Sequence, residues 1–158
     1  MIEFFAKGMP KGQPRPRAFA RNMGGKMVAR VYDAGTAEGW KGCIAAAAIG
    51  HIPAIPLEGP LAVDLAFVMP RPKAHYGSKG GVAYLKDGSP VWFEQKPDAD
   101  NLAKAVMDAL TALGAWKDDA QVVSLNILKC YGEPCGAKIT VETLNAASEA
   151  RRREDHGQ

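Results

Sequence analysis

The sequence predicts an α+β domain, an α/β-type mixed sheet with helices packed against it. Three observations carry this. Apolar residues alternate over 61–70, 121–131 and 137–144, the period of a strand with one buried face. Over 35–52 and 101–113 they recur instead at steps of three and four, as in an amphipathic helix. The two kinds of segment are interspersed, which gives the order β-β-α-β-loop-α-β-β.

Residues 2–7 read as the first strand. KGQPRPRAFARNMGGK (11–26) is broken by two prolines and a Gly-Gly pair and reads as loop or hairpin. MVARVYD (27–33) is the second strand. The helix over 35–52 has Thr36 as N-cap and sets Trp40, Ile44, Ala48 and Ile52 on one face. Pro53 and Pro56 end it, and its Ala45–Ala48 run is smooth enough to lie on a sheet or a second subunit. Strand 61–70 turns Leu61, Val63, Leu65, Phe67 and Met69 to one side.

Residues 71–95 form a long irregular stretch rich in Gly, Pro and Lys, with Trp92 and Phe93 near its end. A loop of that length inside a compact domain is functional or mobile. Helix 101–113 follows, with Leu102, Val106, Ala109, Leu110 and Leu113 on its apolar face and Asn101, Lys104 and Asp108 opposite. Gly114 is its stop. The turn GEPCG (132–136) is expected to join the last two strands as an antiparallel hairpin. One domain over 1–144 is expected, then a polar tail over 145–158 that frays.

The chain of 158 residues, 47% apolar, is long enough for one core. No run reaches the roughly 18 apolar residues of a membrane span, and the N-terminus lacks a signal-peptide pattern. A cytoplasmic protein with no membrane association is expected. Cys43, Cys130 and Cys135 are odd in number and have no histidine near enough to complete a zinc set, so free thiols are expected. His51, His75 and His156 show no partner pattern.

The net charge of +3 is unevenly placed. Residues 1–30 carry Lys7, Lys11, Arg15, Arg17, Arg21, Lys26 and Arg30 against Glu3 alone, a local excess of +6. The segment 94–119 is richer in acid. A basic arm and an acidic pocket suit a polyanion gripped in one place and met by metal in another. A solvated hairpin explains the basic arm equally well.

Two acidic pairs flank helix 101–113: Asp98 and Asp100 before it, Asp118 and Asp119 after it. Each has a plain reading. Asp100 can cap the helix, Asp98 can sit at its positive end, and Asp118 and Asp119 can shape a turn. Gathered together, four carboxylates repel and need a cation. Oxygen ligands without His or Cys suit Mg²⁺, or Mn²⁺ as a substitute. Lys104 either pairs with Asp108 one turn on, or points at a phosphate where negative charge develops.

The stretch KPDADNLAKAVMDALTALGAWKDDAQVVSLNILK (96–129) resembles the hallmark of the RusA family of Holliday-junction resolvases. That hallmark is D-x-D-N-L-x-K-x-x-x-D-A-L, a short turn, an aromatic, then D-D-x-Q-V and a strand. The remainder fits more loosely, and the stretch 71–95 is longer than in compact members of the family. The resemblance implies a small cytoplasmic homodimer, often prophage-borne, that nicks four-way DNA junctions symmetrically with Mg²⁺. It implies that Asp98, Asp100, Lys104 and Asp119 are catalytic, and that the three aspartates, with Asp118 beside them, hold the metal. Lys7, Lys11, Arg15, Arg17, Arg21, Lys26 and Arg30 would then hold DNA phosphates. Lys73, Lys79 and Lys86 could close over the DNA from the long loop, and Trp92 or Phe93 could stack on an unpaired base or pack in the core. Helix 36–52 is a candidate dimer interface. A nuclease for flaps or other branched DNA, and a non-catalytic junction-binding protein, are the alternatives.

Overall fold

The computed structural model describes residues 1–14, 17–23, 26–32 and 37–145. Arg15, Thr36 and the tail from 146 lie outside the described residues, as do the side chains of Arg17, Arg21, Lys26 and Arg30. In chain order the elements are β1 (Ile2–Lys7), β2 (Arg17–Met23), β3 (Lys26–Tyr32), α1 (Glu38–Ala48), β4 (Leu61–Met69), β5 (Tyr76–Lys79), β6 (Val82–Leu85), α2 (Ala99–Ala112), β7 (Val122–Tyr131) and β8 (Gly136–Thr143). The fold is α+β, as the sequence predicts.

Four strands build the main sheet in the order β1-β8-β4-β7. β8 runs antiparallel to both β1 and β4, and β7 runs parallel to β4. The period of two on β4 turns Leu61, Val63, Leu65, Phe67 and Met69 inward, and all five are buried, with Ala62 buried beside them. α1 and α2 pack against each other, α1 also against β1 and α2 against β7. α1 contributes Trp40, Ile44 and Ala48 to the core. α2 contributes Leu102, Val106 and Leu110, and its small residues Ala103, Ala105 and Ala109 let it lie close to its neighbours. Each fully buried Leu, Val, Ile or Phe side chain stabilises the fold by about 1.5–3 kcal/mol.

Three expectations are corrected. The strands on either side of GEPCG are not a hairpin, because β4 lies between β7 and β8. The turn steps over one strand, about 9.6 Å at ordinary strand spacing, which four residues span easily. β4 earns the centre through its apolar face, whereas β7 has only intermediate or exposed side chains and takes the edge. The second correction concerns α1, which ends at Ala48 rather than near Ile52. Ile49 leaves the helical region (ψ 125°) and Gly50 takes a positive φ of 83°, so the chain turns before either proline acts. Ile52 still packs on the core, from the turn.

The third correction is the stretch 71–95, which holds a short 3₁₀ turn (Lys73–His75) and the β5–β6 hairpin. Arg71 ties it down, donating to the Pro90 carbonyl at 2.7 Å and stacking over the Tyr131 ring at 5.5 Å. Lys86 Nζ donates to the Ala74 carbonyl at 3.0 Å. The segment 91–93 then pairs with the end of β7, through Phe93 N to Lys129 O at 3.1 Å and Tyr131 N to Val91 O at 2.8 Å. Residues 11–26, read as loop or hairpin, resolve as one: β2 pairs antiparallel with β3 from Arg17↔Tyr32 to Met23↔Lys26.

Candidate active site at the two ends of α2

α2 begins where the C-terminal ends of β4 and β7 meet the chain entering from 91–97. Asp98, not Asp100, occupies the N-cap position, and its side chain makes no capping hydrogen bond. Its carbonyl accepts from Leu102 N at 3.1 Å. Asp100 lies in the first turn, where the helix dipole favours an anion. Both aspartates are exposed.

Two contacts fix this end of the helix. Lys129, on the inward face of β7, reaches back with Nζ to the carbonyls of Gln95 and Pro97, both at 2.9 Å. Its ammonium also lies 5.1 Å from the Phe93 ring centroid. The half-buried cation is thereby satisfied by two carbonyls and a π face, and the segment leading into Asp98 is tied to the sheet. From the other side the strap after β1 crosses α2, with Gln13 N donating to the Asn101 carbonyl at 2.8 Å. The strap needs Gly12 there: a Cβ would stand 2.9 Å from Asn101 Cβ and 3.2 Å from Pro97 Cβ. That crossing brings the exposed Lys11 beside the Asp98 end.

Lys104 is exposed one turn after Asp100 and donates to Asp108 Oδ1 at 3.2 Å. Lys41 of α1 adds a longer contact to Asp108 at 3.9 Å. The i,i+4 pair expected from the sequence is therefore formed, and the stripe Asp100–Lys104–Asp108 follows one helix face.

The second acidic pair lies beyond the other end of α2. Trp116 is buried, with its indole N–H donating to Thr111 Oγ1 at 2.7 Å. Asp118 caps a 3₁₀ turn (Asp119–Gln121), its Oδ1 accepting from Ala120 N at 2.8 Å. Gln121 completes the capping box. Its Oε1 accepts from Lys117 N and Asp118 N at 3.0 and 3.2 Å, and its Nε2 donates to the Leu57 and Gly59 carbonyls at 3.0 and 3.1 Å. Asp119 stands exposed on this braced turn.

The structure thus brings Asp98, Asp100 and Lys104 together, and Asp118 with Asp119, but keeps the two groups apart. α2 has 14 residues and is about 21 Å long at 1.5 Å per residue. Among the described residues no three His, Cys, Asp or Glu side chains gather closely enough to hold a metal ion. The oxygen donors suit Mg²⁺ chemically, yet one copy of the chain divides them between two places.

Over residues 7–142 the chain matches the family of the endodeoxyribonuclease RusA. It belongs to that family. It is 35% identical over 145 residues to the uncharacterized protein YqaN of Bacillus subtilis (strain 168), across 92% of this chain and 98% of that protein. It is 54% identical over 35 residues to the crossover junction endodeoxyribonuclease RusA of Escherichia coli (strain K12), across 22% of this chain and 29% of that protein. The RusA of Enterobacteria phage 82 matches to the same extent.

Within this RusA-family chain, Lys7, Lys11, Lys73, Lys79 and Lys86 are exposed, and Lys86 is engaged in holding the 71–95 segment. Phe93 packs edge-on against Tyr131 at 5.1 Å, while Trp92 keeps 58% of its surface exposed. None of the helices among the described residues is long and apolar enough to cross a membrane. Sequence reasoning missed Lys129 and Gln121. Lys129 shares strand parity with Leu125 and Ile127, and a charge on that face needs partners. Gln121 lies three residues after Asp118, the spacing of a capping box.

Proposed function

We propose that this protein is a Mg²⁺-dependent, structure-specific endodeoxyribonuclease that resolves four-way DNA junctions by paired nicks, acting as a cytoplasmic homodimer. One observation carries the reading. Asp98, Asp100 and Lys104 of the family's D-x-D-N-L-x-K motif, and Asp118 and Asp119 of its D-D-x-Q motif, stand exposed on braced supports at the two ends of α2. Asp98, Asp100 and Asp119 are the metal-holding acids, with Asp118 shaping the turn beside Asp119. Bound Mg²⁺ would supply an activated water and charge to stabilise the leaving oxygen. Lys104 is the cation aimed at the phosphate, exchanging Asp108 for the substrate as DNA arrives.

The separation of the acids supports a site assembled from two copies, Asp98 and Asp100 from one and Asp119 from the other. A junction has two strands to cut, and a two-fold dimer presents two such sites. Lys7, Lys11, Lys73 and Lys79, with the basic residues of β2 and β3, hold phosphates, so recognition rests on shape and charge.

The test compares a synthetic four-way junction with linear duplex and flap DNA, in Mg²⁺ or EDTA. Paired nicks in the junction alone, lost in EDTA and in Asp98→Asn, are expected. Cutting of flaps in preference would redirect the assignment to another branched-DNA nuclease. Tight junction binding without nicks would leave a binding protein. Mixing Asp98→Asn with Asp119→Asn addresses the shared site. Each variant is inactive alone, but their heterodimer has one site with all its acids, so the mixture regains roughly a quarter of wild-type nicking. Sites built within one chain regain nothing.

A further inference from the structure

We propose that the β5–β6 hairpin recognises the branch in a DNA substrate, with the Tyr84 ring stacking on a base that the branch point leaves unpaired. The inference deepens the resolvase reading and rests on it for branched DNA as the ligand.

The hairpin stands on a braced base. Lys86 N and Ser89 Oγ donate to the His75 carbonyl at 3.0 and 3.1 Å, and the His75 ring packs edge-on against Tyr131 at 4.9 Å. Gly80 and Gly81, with φ of 59° and 80°, close the turn between the strands. All four residues of β6 are exposed, Val82 at 70% and Tyr84 at 51%. Opposite residues of an antiparallel pair share a face, so Gly77, Lys79, Val82 and Tyr84 lie on one side of the hairpin. The Tyr84 ring crosses to rest on Gly77, where a Cβ would stand 2.6 Å from Tyr84 Cζ and Oη. The glycine seats the ring. A ring held in place yet half in solvent loses side-chain freedom and hides little apolar surface, so the fold alone gains little from it.

The surroundings identify the occupant. Residues 71–97 hold one arginine and four lysines against Asp87 and Glu94. Cations interleaved with exposed rings suit single-stranded nucleic acid: its phosphates meet the cations and its bases stack on the rings. That excess of positive charge favours a polyanion over a protein surface. The hairpin is also placed beside the chemistry. After β6 the chain is pinned to the end of β7 at 91–93 and enters α2 behind Asp98. The hairpin and the first acid pair therefore share one end of the sheet. A continuous duplex keeps its base faces inside the stack, and a base is drawn out most readily where pairing is already broken. Every base has a π face, so the contact reads the branch rather than the sequence.

The test measures affinity for a four-way junction and a linear duplex in EDTA, where no strand is cut. Tyr84→Ala is expected to bind the junction about tenfold or more weakly, with duplex affinity unchanged. Tyr84→Phe and Tyr84→Trp should keep the junction affinity. Gly77→Ala unseats the ring without removing it, so it should show the same loss and add nothing in the Tyr84→Ala background. Equal losses on both DNAs, or none on either, would overturn the proposal. So would a lower mass by light scattering in Tyr84→Ala, which would make the hairpin a contact between copies. The native protein supplies an arm independent of folding. Junctions with an abasic nucleotide placed at each branch position in turn should bind about tenfold more weakly at one of them, and identical affinities throughout would refute the stack. Nicking in Mg²⁺ is read on the same DNAs. Ring-dependent junction affinity without nicks refutes the resolvase reading and leaves this inference standing. Junction nicking with an affinity indifferent to the ring does the reverse.

Discussion

Lys104 distinguishes a surface ion pair from a cation that works on substrate. Its hydrogen bond to Asp108 at 3.2 Å is exposed, and such pairs contribute about 0.2–0.5 kcal/mol. Lys104→Met is therefore expected to change urea-unfolding stability by no more than about 0.5 kcal/mol. Its junction-nicking rate is expected to fall by about 100-fold or more, the scale of losing a charge-stabilising donor. Equal nicking by the variant would return Lys104 to the role of a helix surface residue. Lys129 makes a different prediction, because its ammonium holds the carbonyls of Gln95 and Pro97 and lies against the Phe93 ring. Lys129→Met should raise the Mg²⁺ concentration needed for half-maximal nicking by about tenfold, as loss of a supporting contact behind metal ligands does. Lys129→Arg should recover part of that loss. A metal titration curve that does not move would show that this anchor is irrelevant to the acids.

α2 is the element on which sequence and structure agree most closely, and its chemistry shows why. Leu102, Val106 and Leu110 recur at four-residue steps, and a local period survives whatever the rest of the chain does. Leu110 is fully buried and Leu113 is 36% exposed, so the two leucines should respond differently to truncation. Leu110→Ala is expected to cost about 2–5 kcal/mol in chemical unfolding, and Leu113→Ala well under 1 kcal/mol. The turn GEPCG misled for the complementary reason. Its residues report that the chain reverses, but strand pairing is decided by which strand best fills the centre. That choice fell to β4, some seventy residues earlier. The acids divide in the same way. Motif spacing named Asp98, Asp100 and Asp119 one by one, while their separation depends on the direction of β7 relative to α2, which no local pattern encodes. The sequence allows Asp100 as the cap, and Asp98 holds that position, a shift of the size that helix ends commonly show.

At the scale of the whole molecule, the exposed lysines of β1 and the strap lie near the Asp98 end of the sheet, where α2 begins. Junction binding should weaken steeply with salt, and replacing Lys11 with Gln should flatten the slope of log affinity against log salt by about 1. Binding measured across a salt series on one junction and one linear duplex checks this. A slope unaltered by the replacement would remove Lys11 from the interface.

The length of α2 has a consequence for when the protein can act at all. If the acids at its two ends cooperate only between copies, a solitary chain is inert, however well it is folded. Newly made protein would then be harmless to DNA until enough of it accumulated to meet itself. Nicking measured at successive dilutions should fall with the square of concentration once the dimer dissociates, and return when the sample is concentrated again. Strict proportionality down to the lowest dose would mean that one chain is armed by itself.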